Sequence, residues 1–79
     1  MNEIDEIQNQ LKLSQEERYE LSREYNKYTN LLVDSANNIE LYKKYTIMLQ
    51  GLEEKTLNNK INCRRLMQAL KDINGTDNG

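Results

Sequence analysis

Apolar residues recur along the first part of the chain in alternating steps of three and four. Ile4, Ile7, Leu11, Ser14, Arg18, Leu21, Tyr25, Tyr28 and Leu32 hold one heptad phase, and seven of these nine are apolar or aromatic. Such spacing keeps one narrow stripe of a helix against a partner. The segment "VDSANN" at 33–38 interrupts it. There Asp34 or Ser35 suits a new helix cap, and Asn37 and Asn38 accept turn geometry. A second series then runs Tyr42, Tyr45, Leu49, Leu52, Thr56, Asn59, Cys63, Leu66, Leu70 and Ile73, again in one phase.

Two amphipathic helices joined by a short turn fold back on each other. The pattern therefore predicts an all-α fold, an antiparallel two-helix hairpin of coiled-coil type that dimerises into a helical bundle. The expected single domain is 1–74, with helices over about 3–33 and 38–74 and a turn at about 34–37. Gly75 supplies a C-terminal stop, and 75–79 is expected to be a flexible tail. Gly51 falls outside the stripe and costs about 1 kcal/mol against Ala without forcing a break. The competing architecture is a compact three-helix bundle broken near 51–59, at Gly51 or "TLNN".

Ser14 followed by Glu17 matches a capping box, which normally starts a helix. The unbroken phase instead places Ser14 inside the first helix. With equal rise on both arms, facing residues should have numbers that sum to about 70. Tyr25 and Tyr28 then face Tyr45 and Tyr42, Leu21 faces Leu49, and Ser14 faces Thr56. The polar interruptions of the two arms come to one level, where they fix register at some cost in stability.

Charge sharpens this picture. The net charge is only −2, yet residues 1–21 hold six acids and two bases, whereas residues 55–73 hold five bases and one acid. In the hairpin the acidic arm runs beside the basic arm, so flanking ion pairs are expected. The chain has 79 residues, 37% hydrophobic and 30% charged, without Pro, Trp, Phe or His. It is too apolar for simple disorder, and too short to bury a large core alone. The lone Cys63 excludes an internal disulfide framework and suits a reducing, cytoplasmic setting. No apolar run approaches the length of a membrane span, and the acidic start lacks the basic and apolar regions of a signal peptide.

Candidate chemistry is sparse. Without histidine there is no imidazole base and no usual zinc ligand set. Cys63 has no partner to activate it and reads as a small seam residue. The acid pairs Glu16–Glu17 and Glu53–Glu54 diverge by about 100° on a helix, so they do not converge on one metal. The glycines are scattered and form no phosphate loop. No enzyme activity, metal or cofactor is expected.

Two features point instead to binding. Leu31, Val33, Ile39, Leu41, Ile47 and Met48 lie outside the seam near the turn, more than a two-helix hairpin can cover. Exposed apolar residues of this kind mark association sites. The expected partner is a second copy of the chain, a larger protein, or both, with no membrane involved. Separately, Lys60, Arg64 and Lys71 share one helical stripe, with Arg65 beside it, as in a phosphate-contacting helix. The expectation is a small non-enzymatic interaction protein. Its size and Asn-, Lys- and Ile-rich composition suit a phage or mobile-element accessory that inhibits or redirects a host protein. A DNA- or RNA-binding regulator and a scaffolding component are the alternatives.

Overall fold

A computed structural model describes residues 2–77, and the side chains of residues 2–75. It contains two helices, α1 (Glu3–Asp34) and α2 (Ile39–Asp77), packed along each other as an extended hairpin. The rod measures 62 × 16 × 15 Å. Its radius of gyration of 18.0 Å far exceeds the value of about 12 Å for a compact chain of this length.

Local chemistry sets the helix ends. Asn2 lies in extended backbone and its Oδ1 accepts the Ile4 N–H at 3.0 Å. Glu3, Asp5 and Glu6 fill the first turn, where acids favour the positive end of the helix dipole. At the far end, the Ser35 N–H reaches the carbonyls of Leu31 and Leu32 at 3.0 and 3.2 Å. Asn38 then caps α2: its side-chain Oδ1 accepts the Leu41 N–H at 3.2 Å, and its carbonyl accepts the Tyr42 N–H at 2.9 Å.

The cap at Asn38 corrects the sequence expectation of Asp34 or Ser35. The link is residues 35–38 rather than 34–37, and α2 begins at Ile39. Facing residues consequently sum to 73 rather than 70, as Ser14 with Asn59 and Tyr28 with Tyr45 show. Tyr28 therefore pairs with Tyr45, at 6.0 Å between ring centres, in place of Tyr25. Thr56 does not meet Ser14; its hydroxyl donates to the Leu52 carbonyl of its own helix at 2.8 Å.

Both seams keep the expected phase. Leu21, Leu49, Leu52 and Cys63 are buried, and so are Ser14 and Asn59. α2 runs without interruption through Gly51 and 56–59, which excludes the three-helix alternative. Gly75 does not stop α2, which continues to Asp77. No glycine among the described residues has a positive φ, so the left-handed cap that would end the helix is not formed. The expected tail at 75–79 is thus helical over 75–77; residues 78 and 79 lie outside the described residues.

Among the described residues, the expected ion pairs between the acidic first arm and the basic second arm do not form either. Among the described residues, no base within 55–71 is in ion-pair reach of an α1 carboxylate. Arg23 instead pairs with Glu20 on its own helix at 3.8 Å. Both partners are well exposed, and such pairs are worth little. No helix among the described residues is long and apolar enough to cross a membrane.

Candidate functional site

The seam carries one polar layer, built from both helices. Asn59 projects from α2 into the seam, where its Nδ2 donates to the Ser14 carbonyl at 2.9 Å. Its Oδ1 accepts from Arg18 Nε at 3.1 Å and faces Cys63 Sγ at 3.8 Å. Asn62 Nδ2 adds a bond to Ser14 Oγ at 3.2 Å. Among the described residues, no buried side-chain nitrogen or oxygen lacks a partner. A satisfied polar layer of this kind costs little and specifies one alignment. The heptad phase placed Ser14, Arg18, Asn59 and Cys63 on the seam stripes of their helices but set Ser14 opposite Thr56, so the bonds of Asn59 to Ser14 and Arg18 were not legible from it. Asn62 lies outside that phase, and only its reach across to Ser14 brings it in.

Two faces flank the seam. On the groove face, one depression of about 480 Å³ is lined by Arg18, Ser22, Tyr25, Glu53, Leu57 and Lys60, among others. A second, of about 400 Å³, shares Arg18 and Lys60 and adds Leu11, Cys63, Arg64 and Met67. Here the Tyr25 hydroxyl donates to Glu53 Oε1 at 3.2 Å. That hydrogen bond, then the Glu53 charge and a little burial, pushes the Tyr25 pKa above its ordinary value. On the opposite side, the Gly51 face holds a depression of about 230 Å³ lined by Glu24, Tyr28, Met48, Gly51, Leu52 and Lys55. A Cβ built on Gly51 meets nothing within 4 Å.

The six apolar residues singled out in the sequence divide among these directions. Leu31 is half-buried, while Val33, Ile39, Leu41, Ile47 and Met48 are exposed. Met48 lies on the Gly51 face. Leu31 falls seven residues after Glu24, and Leu41 seven before Met48, so they extend it. By the same spacing Ile39, fourteen residues before Glu53, belongs to the groove face, and Val33 lies on that side too. Ile47 sits on the back of α2, in line with Ile61 fourteen residues later.

The basic residues are better gathered. Lys60 and Arg64 line the groove face, and Lys71 follows Arg64 by seven. Arg65 falls fourteen residues after Gly51 and so lies on the other face. The sequence pattern missed Arg18 as a fourth base of the groove face, because it first reads as a polar interruption of the seam. Among the described residues, no group of three or more His, Cys, Asp and Glu is placed to hold a metal ion. Comparison with family models, with curated proteins and with solved structures finds no match.

Proposed function

We infer that the chain is a small non-enzymatic interaction module, an all-α hairpin whose flanking faces are covered by another protein surface. One observation carries this reading. The chain exposes 6469 Å², whereas a compact monomer of 9.4 kDa exposes about 5,000 Å². The excess of about 1,500 Å² is larger than the roughly 800 Å² that one partner contributes to a standard stable interface. Large apolar side chains make up part of it, with Val33 and Ile39 exposed by 69% and 70% and Ile47 by 67%.

Sedimentation and light scattering over a range of concentrations test the reading, together with affinity capture followed by reconstitution from purified components. A self-assembled species or a reconstituted complex is expected. A chain that stays a folded monomer throughout, and reconstitutes no complex, overturns it. A second reading, a nucleic-acid-binding regulator, is favoured by Arg18, Lys60 and Arg64 converging on one face, with no carboxylate among the described residues in ion-pair reach. It requires binding that weakens steeply with salt. Unchanged fluorescence anisotropy of duplex and single-stranded probes at low salt rules it out.

A further inference from the structure

We propose that the Gly51 face is the contact between two copies of this chain, related by a two-fold axis parallel to the rod. The argument rests on the interaction-module reading and on three features of the face. The first is charge. The α1 row of this face carries Glu3, Glu6, Glu17, Glu20, Glu24 and Asp34 with one base, Lys27, and the α2 row carries Lys44, Lys55 and Arg65 with one acid, Asp72. A two-fold axis along the rod lays α1 of each copy on α2 of the other, antiparallel and at the same level. Since facing levels sum to 73 within the hairpin, they do so between copies as well. Glu17 then lies beside Lys55 of the second copy, Glu6 beside Arg65, and Leu31 beside Leu41, while Lys27 beside Lys44 is the one like-charge pair. A two-fold axis across the rod would instead lay acidic α1 on acidic α1. Opposite-charge contacts therefore outnumber the Lys27–Lys44 clash under one symmetry, whereas the other sets an acidic row on an acidic row, which is how charge rows select orientation.

The second feature is Gly51. Glycine inside a helix weakens it, and nothing in the hairpin approaches closely enough to require it. In the proposed pairing, Glu20 and Glu24 of the second copy straddle Gly51, which opens the floor formed by Tyr28 and Leu52. The third is area: the surplus surface of one chain exceeds what one subunit of a stable dimer contributes. Closed two-fold dimers are also the commonest assemblies of identical chains. The groove face, with Arg18, Lys60 and Arg64, has no matching acidic row of its own and stays outward.

Two single-cysteine chains test the geometry, each in a Cys63→Ser background. A chain with Glu17→Cys is mixed with a tagged chain with Lys55→Cys and oxidised. The mixed disulfide is expected to dominate over either self-disulfide. It should also exceed the yield from Glu17→Cys mixed with Lys60→Cys, which reports the Gly51 face stacking on the groove face. Equal yields, or a dominant Glu17→Cys self-disulfide, overturn the proposal. In parallel, Gly51→Leu is expected to weaken self-association about tenfold or more while leaving helical content intact. Unchanged association by that variant overturns the proposal too. For the unmodified chain, mass in solution is expected to level off at twice that of the chain; growth beyond it means open stacking and refutes the closed pair. A monomer that still reconstitutes a complex with another protein overturns this dimer and leaves the module reading standing.

Discussion

Leu52 and Asn59 occupy equivalent places on α2, one heptad apart on the seam, and each is 5% exposed. Their chemistry is opposite, and so are their roles. Around Leu52 the layer is apolar, with Leu21 and Leu49 buried beside it, and it supplies the transfer free energy that holds the arms together. Around Asn59 the layer is hydrogen-bonded to Ser14 and Arg18 and supplies little net stability. What it supplies is position. A slip of one heptad would bring Ser14 opposite Leu52 or Leu66, and Asn59 opposite Ile7 or Leu21. Each alternative leaves a buried amide without a partner, which costs about 1–3 kcal/mol. Equal burial thus serves cohesion at one level and alignment at the other.

The contrast can be broken most forcefully at Leu52. Leu52→Ala is expected to cost about 2–4 kcal/mol, from lost transfer energy and the cavity left in a seam too narrow to collapse around it. Urea unfolding at fixed protein concentration reads this directly; a loss no larger than that from a surface substitution would deny Leu52 its cohesive role. Asn59→Ala comes next, at about 1–3 kcal/mol, since it removes the acceptor of Arg18 Nε and one bond to Ser14. Asn59→Leu separates the two roles. It is expected to be more stable than Asn59→Ala but to populate slipped alignments, seen as extra amide resonances in solution. One sharp set of resonances from Asn59→Leu would show that the turn alone sets the register.

Smaller effects lie at the edges of the seam. Gly51→Ala is expected to stabilise the hairpin by about 0.5–1 kcal/mol, measured by thermal unfolding below the concentration of self-association. The added methyl meets nothing within 4 Å, so a destabilised variant would reveal a contact the single hairpin does not make. The smallest effect belongs to Tyr25, whose folded-state pKa is raised above 10.0 chiefly by its hydrogen bond to Glu53. The neutral hydroxyl is the stabilised form. Its contribution is therefore full below pH 10.0 and fades as pH rises through the higher folded value. Tyr25→Phe should lack that alkaline loss, and an identical pH profile in the two chains would refute the assignment.

The heptad phase made the architecture legible, because a stripe that is continuous over 4–32 and again over 42–73 leaves few other ways to bury it. It also placed Ser14 inside α1, against the local capping pattern. The turn was harder to place. Asp34, Ser35, Asn37 and Asn38 are all competent caps by side-chain chemistry, and only the backbone distinguishes them. Choosing Asn38 moves every facing pair by three residues, enough to exchange Thr56 for Asn59 as the partner of Ser14. Faces were harder still. Leu31, Val33, Ile39, Leu41, Ile47 and Met48 look like one cluster in sequence, yet helical rotation sends Met48 and Ile47 in different directions. Clustering along a chain becomes clustering in space only after rotation is counted. Charge was misleading for a related reason: acidic and basic segments that run side by side need not touch when their side chains project from the flanks.

The link between the arms contains no residue with positive φ. It holds no strained conformation, and the register that its length sets agrees with the one the polar layer sets. Its contribution is proximity, in that it keeps each arm at a high effective concentration for the other. Lengthening such a link is inexpensive, since each doubling of a flexible loop adds only about 0.6 kcal/mol of closure entropy. Exposed Ala36 and Asn37 are therefore the place where foreign sequence can enter the hairpin while Ser14 and Asn59 still find each other.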